Sequence, residues 1–250
     1  YQLALGYALK NDRDRMINSF IATYKKDTLH LNAIVNLATS FNKLRDVDST
    51  QLFVVKGLAI DKDHISLNRL KINQLFRDEN YKEAIPFLLN LDSIDTKDTY
   101  SKSMLGRTYY NLDSLQKAKT YFNKVSDLDR EDFKALTYLG HIALKEKDYK
   151  YATLNYRMAT YIGKEKRDEE YYGLATVHYE KNEPLLAMAN FEKAYAENSN
   201  NYKALFQLAK LTDDYYEDKK MGYKLYKKYM RYQYSKDEQI TNFVERRIKD

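Results

Sequence analysis

A 34-residue periodicity constrains this chain more than any other feature. Leu3, Leu37, Lys71, Leu105 and Leu139 stand 34 residues apart, and after one extra residue Leu174 and Leu208 continue the series. The next position is small in every case but one: Ala4, Ala38, Ile72, Gly106, Gly140, Ala175 and Ala209. Thirteen residues beyond the first column come Met16, Thr50, Ala84, Ala118, Ala152, Ala187 and Met221. Four further on stand the uniformly apolar Phe20, Val54, Leu88, Phe122, Tyr156, Phe191 and Leu225. A fixed period of this length marks a repeat array, in which each unit buries its apolar face only by stacking on its neighbours.

Inside each period the apolar positions follow helical spacing. Ile34, Leu37, Ala38 and Phe41 share one face of a first helix, as do Leu136, Leu139, Gly140 and Ala143. Ala118, Phe122 and Val125 share a face of a second. Small residues in two of the columns let paired helices approach closely, and Leu and aromatic side chains fill the flanking gaps. Only 7 Gly and 2 Pro punctuate the chain, which favours helices joined by short polar loops. The 25 Tyr supply large rings whose hydroxyls stay wet. Pro184 falls in the first turn of a second helix, where its missing N–H costs little; Pro86 lies deeper and predicts a kink or a distorted first turn.

Leu105, Gly106, Tyr109, Ala118 and Phe122 in one period, and Ala187, Phe191 and Ala194 in another, give the chain its resemblance to the tetratricopeptide repeat (TPR), a helix–turn–helix unit. That resemblance covers almost the whole sequence. It implies an all-α, right-handed superhelical solenoid of stacked antiparallel helix pairs, a single domain over 1–250. The expected units are 1–30 (lacking its start), 31–64, 65–98, 99–132, 133–167, 168–201 and 202–235. The extra residue is expected in 163–168. A capping helix follows over 236–250, with Ile240, Phe243, Val244 and Ile248 on its apolar side. The chain begins inside a helix, so something upstream is expected to have been removed. The proline this family carries near the end of each unit is missing throughout, Arg130 and Ser199 standing at two of its places, which leaves the loop geometry open.

Chemistry of its own is not expected. His30, His64, His141 and His178 form no metal-ligand spacing, and a lone His is ordinarily a packing or surface residue. The adjacent carboxylates Asp213–Asp214 and Glu169–Glu170 point in different directions on a helix. There is no glycine-rich phosphate loop and no nucleophile turn. Absence of Cys removes disulfides, thiolate nucleophiles and Cys-based zinc sites, and no apolar run is long enough to span a membrane. No catalytic residue, metal or cofactor is therefore assigned.

The resemblance implies a concave groove lined by the first helix of each unit. The positions that face it carry Arg69, Asn73, Tyr100, Arg107, Tyr110, Lys134, His141, Tyr172, Tyr179, Lys203 and Lys210. Arg, Lys, His and Tyr together suit an extended peptide bearing acidic and apolar groups. The net charge of +6, of which +4 falls in residues 216–250 (10 Lys/Arg against 6 Asp/Glu), also fits an acidic partner. A carboxylate clamp of the kind found in chaperone adaptors of this family would use Arg69, Asn73, Met104, Lys134 and Tyr138, of which Met104 and Tyr138 depart from its pattern. The expected function is a scaffold or adaptor that binds a protein or peptide. The alternatives are a helical repeat for single-stranded nucleic acid and a structural subunit of an envelope or secretion assembly. Self-association through the solenoid ends is a further expectation. The Lys-, Asn- and Tyr-rich composition points to a bacterial source, with a cytoplasmic location and export to the periplasm or outer envelope equally open.

Overall fold

The computed structural model describes residues 1–163, 166–232 and 238–249. Among these residues there are fifteen α-helices and no strand: α1 (Gln2–Leu9), α2 (Arg13–Lys26), α3 (Leu31–Lys43), α4 (Val47–Ile60), α5 (Ile65–Arg77), α6 (Tyr81–Ile94), α7 (Thr99–Asn111), α8 (Leu115–Leu128), α9 (Phe133–Lys145), α10 (Tyr149–Ile162), α11 (Asp168–Glu180), α12 (Pro184–Glu197), α13 (Tyr202–Tyr215), α14 (Lys220–Tyr232) and α15 (Glu238–Lys249). Residues 164–165 within the expected insertion, and 236–237 and 250 of the expected capping helix, lie outside the described residues. Packing divides the chain into two compact units, Tyr1–Tyr121 and Phe122–Asp250. In the first, α1 pairs with α2, α3 with α4 and α5 with α6, and each pair adjoins the next. In the second, α9 pairs with α10, α11 with α12 and α13 with α14, and α15 closes on α14.

The turn inside each pair is built without glycine. Six first helices run into a residue with left-handed backbone: Asn11 (φ 57°), Arg45 (60°), Glu79 (57°), Asp113 (55°), Lys147 (59°) and Asn182 (58°). The following amide then reaches back over the last turn, as Asp46 N–H to the Phe41 carbonyl (3.0 Å) and Asp148 N–H to that of Ala143 (2.8 Å). This closure normally selects glycine at the left-handed position, because any Cβ there is strained. The residue after it is often an aspartate that caps the second helix. The side chains of Asp12, Asp46 and Asp148 accept from the amides of Arg15, Ser49 and Tyr151.

The loops between pairs use a different device, and it replaces the absent proline. Asp27, Asp61, Asp95, Asp129 and Asn198 each accept, through Oδ1, the amide two residues on, at 2.9 to 3.1 Å. These side chains mimic a backbone turn and end the second helix. The next first helix is then capped by His30, Asp98, Asp132 or Asn201.

Columns of small residues lie at the helix crossings. Ala38, Ala84, Ala118, Ala152, Ala175, Ala187 and Ala209 are all fully buried. The crossing of α9, α10 and α11 shows why size matters. Tyr156 is fully buried with its ring against two glycines. A Cβ on Gly140 would stand 2.7 Å from its Cε1, and one on Gly173 2.3 Å from its Cζ. Leu37, Leu105, Leu139, Leu174 and Leu208 are buried, whereas Leu3 of the same column is 64% exposed. α6 continues unbroken through Pro86, and Pro184 is the first residue of α12. Val244 of α15 is buried against Leu205, Ala209, Tyr226 and Tyr229, with Ile240 and Ile248 packed on the same cluster. Arg247 fixes the register by donating to Asp213 Oδ2 from Nε (3.0 Å) and Nη2 (2.8 Å).

Candidate functional site

In the first unit, α5 and α7 bring four of the sequence-selected residues together. Arg69, Asn73 and Phe76 occupy one face of α5 at helical spacing, and Tyr100 and Arg107 lie on α7. The Arg69 guanidinium covers the Tyr100 ring at 4.6 Å, and its Nη2 is 3.4 Å from both carboxylate oxygens of Asp98. The Tyr100 hydroxyl donates to Asn73 Oδ1 at 3.4 Å. The Arg107 guanidinium stands over the Phe76 ring at 5.4 Å and donates from Nη1 to Met104 Sδ at 3.6 Å. Phe76 is itself held edge-on by Tyr81. Tyr110 is half-buried on α7.

This arrangement is a ledge of two guanidinium groups laid on two aromatic rings. Burial pushes the Tyr100 phenol above its usual range, against the opposing pull of Arg69, so the ring presents a neutral face and hydroxyl. Arg69 retains 44% side-chain exposure while facing Asp98. Its contacts with that carboxylate are long, and a planar guanidinium with five N–H groups keeps donors for a second acceptor. Arg107 Nε is buried and makes no hydrogen bond among the described residues. The ledge therefore offers directed donors beside apolar ring surface. Asp98, which sets Arg69, was not selected from the sequence as a site residue; its signal there is that of a helix cap before Thr99. The two residues that departed from the carboxylate-clamp pattern serve packing: Met104 is buried in the α6–α7 cluster, and Tyr138 stacks on Phe122 at 4.7 Å.

In the second unit the selected residues divide between packing and open surface. His141 Nδ1 is 2.7 Å from the Tyr156 hydroxyl, with its ring edge-on to Tyr138. Burial, helped by the nearby Lys145, pushes the imidazole down to about 4, so it is neutral at pH 7 and adds no positive charge to this face. Tyr172 lies edge-on to Phe191 at 5.3 Å, and burial raises its phenol. Lys134 stands exposed with its ammonium over the ring of Phe133 at 5.6 Å. Tyr179, Lys203 and Lys210 are exposed.

One acid of the adjacent pair Glu169–Glu170 is buried. Glu170 is 3% exposed, and desolvation raises its carboxyl above the ordinary range. Its Oε1 is 2.5 Å from Thr137 Oγ1, which also lies 2.9 Å from the Phe133 carbonyl. A hydroxyl has one proton to give. Thr137 can therefore donate to only one of the two oxygens at a time. Among the described residues no three His, Asp or Glu side chains converge on a metal-sized point, and no helix is long and apolar enough to cross a membrane.

No protein-family model and no curated protein matches this sequence. Solved structures do resemble it. A tetratricopeptide repeat protein from Parabacteroides merdae aligns over 97% of this chain and 94% of its own, with a TM-score of 0.71 at 15% identity. YrrB, described as a TPR protein with an unusual peptide-binding site, aligns over 75% of this chain and 96% of its own, with a TM-score of 0.61 at 18% identity. PilW, described as a type IV pilus biogenesis factor, aligns over 83% of this chain and 95% of its own, with a TM-score of 0.64 at 14% identity. At such identities the likeness is one of fold. Helix pairs repeating every 34 residues, small residues at their crossings and these structural neighbours together establish that the chain has the tetratricopeptide-repeat fold.

Proposed function

We propose that this chain is a protein-interaction scaffold whose α5–α7 ledge takes an extended, acidic segment of a partner protein. The observation that carries the reading is the pair of ring-stacked guanidinium groups, Arg69 on Tyr100 and Arg107 on Phe76. A side chain held on an aromatic plane loses little further freedom when it binds, and a guanidinium so held can meet a carboxylate through two N–H groups. Phe76, Tyr100 and Tyr110 add ring surface for apolar side chains of the same segment, the residue types on which interface energy concentrates. Within the second unit, Lys134, Lys203 and Lys210 are also exposed cations. YrrB is a structural neighbour whose description includes peptide binding.

The reading is tested by capture from the native cell extract with the parent chain and with the Arg69→Glu/Arg107→Glu variant, helicity being checked for both. A partner recovered by the parent and lost by the variant supports the ledge. Equal recovery by both chains refutes it.

A further inference from the structure

The outer face of α10, on the side of the helix opposite its buried residues Ala152, Asn155, Tyr156 and Ala159, carries an exposed apolar ridge. Leu154, Met158 and Tyr161 form a ridge at helical spacing and are 53%, 42% and 92% exposed. The other repeats act as an internal control. At the place of Met158 they carry Ala22, Lys56, Asn90, Lys124, Lys193 and Lys227, and at the place of Tyr161 they carry Lys25, Ala59, Ser93, Asp127, Ala196 and Met230. Only in this repeat are three consecutive outward positions all large and apolar, so the ridge is not a requirement of the fold.

The charge carried by α10 itself is all positive. α10 has no acidic residue, and Lys150 and Arg157 flank the ridge on the same face. Neither side chain makes an ion pair among the described residues. The nearest acid in sequence, Asp148, is engaged by the amide of Tyr151 as the helix cap. A surface groove of about 420 Å³ runs beside the ridge, bordered by Asp148, Lys150, Tyr151, Thr153, Leu154 and Arg157, two cations against one carboxylate. From Lys150 to Tyr161 the strip runs about 16 Å, three turns of helix.

We infer that this strip docks an acidic amphipathic helix of a partner protein, its apolar stripe seated along Leu154, Met158 and Tyr161 and its carboxylates over Lys150 and Arg157. A raised row of side chains on one helix packs into the groove between rows on another. The unpaired cations select acidic over basic partners. A bilayer fits less well, because interfacial binding scales with buried apolar area and α10 is already packed on its inner side. The inference is independent of the α5–α7 ledge, since the two features lie in different units.

The test uses two synthetic lactam-stapled 18-residue helices with one stripe of Leu, flanked by Glu in the first and by Lys in the second, titrated by fluorescence anisotropy. The parent chain is expected to bind the Glu helix and not the Lys helix. Leu154→Ser/Met158→Ser and Arg157→Glu are each expected to weaken that binding roughly tenfold or more, with circular dichroism unchanged. Arg69→Glu/Arg107→Glu is expected to leave it unaltered, which separates this surface from the ledge. The inference is overturned if the Glu helix fails to bind, if the Lys helix binds as well, or if either α10 variant binds like the parent. Vesicles containing phosphatidylserine provide the other arm. Association with them that is lost in the α10 variants, with no binding of the Glu helix, would assign the strip to a lipid surface and overturn the inference in that way.

Discussion

His141, Tyr156 and the two glycines beside them show how closely single residues are specified. The imidazole is neutral in the fold, with its pKa pushed down to about 4 from an ordinary value near 6.5. A group depressed in this way stabilises the fold above its unfolded value, and that contribution is lost as the pH falls from about 6.5 towards 4. The full loss amounts to up to about 3 kcal/mol. Thermal unfolding from pH 7 to 4 should therefore fall more steeply for the parent than for His141→Gln, and equal slopes would refute the assignment. Glu170 has the opposite sign. Its carboxyl is raised, so its contribution is present in acid and lost as the pH rises through the folded value. Glu170→Gln, which keeps a bond to Thr137, should gain stability relative to the parent at pH 8 but not at pH 4. The Tyr156 ring allows no Cβ at Gly173. Gly173→Ala should cost about 1–3 kcal/mol by overpacking, and much of that loss should return in the Gly173→Ala/Tyr156→Leu double variant. Additive losses in denaturant titrations would mean that the ring is not what excludes the methyl group.

Turns and the terminal helix belong to the scale of elements, and here the sequence was only partly legible. Scarcity of glycine predicted helices with short loops, and the helices are there. The same scarcity concealed the left-handed turns, which fall on Asn11, Arg45, Glu79, Asp113, Lys147 and Asn182. These residues differ in chemistry and share only their place in the period, so composition gave no signal. Each non-glycine residue held there carries strain on the order of 1 kcal/mol. Lys147→Gly should accordingly raise the stability of the second unit in chemical denaturation; a decrease would show that the Lys147 side chain contributes more than the strain costs. The missing proline of the inter-pair loops had a legible substitute in the recurrent Asp27, Asp61, Asp95, Asp129 and Asn198, but its meaning depended on the amide two residues on, which only the backbone reveals. For α15, the apolar positions Ile240, Val244 and Ile248 were readable from spacing, whereas the Arg247–Asp213 pair, 34 residues apart in sequence, was not. Removing one partner from such a pair leaves a carboxylate that is 4% exposed without its cation. Arg247→Ala should thus destabilise α15 by several kcal/mol, seen as loss of amide protection over 238–249 in hydrogen exchange. Unchanged protection would make the pair incidental.

Across the whole molecule, repetition made the fold legible and the function less so. Periodicity identifies core positions because each column meets the same neighbours in every repeat. The residues proposed to bind sit where the columns vary, so nothing in the period marks them. Sequence position selected Arg69, Asn73, Tyr100 and Arg107, which the structure brings together on one ledge, and equally selected His141 and Tyr172, whose rings engage packing neighbours. What separates them is the partner each side chain meets on the adjacent helices, a guanidinium for Tyr100 and an aromatic ring for Tyr172, and the period does not specify that partner. A repeat array also predicts that damage stays local. Leu37→Ala, a cavity worth about 2–5 kcal/mol, should lower hydrogen-exchange protection in α2 to α5 while leaving α11 to α13 close to the parent. A uniform loss would indicate a single cooperative fold. The central claim, that the α5–α7 ledge holds a partner segment, is met most directly by a photo-crosslinking residue placed at Asn73, with a second chain carrying it at Lys25 on the outer face of α2. Cross-linking of an acidic partner peptide from position 73, suppressed by Arg69→Glu/Arg107→Glu and absent from position 25, is the result predicted. Cross-linking from position 25 and none from position 73 would contradict the claim.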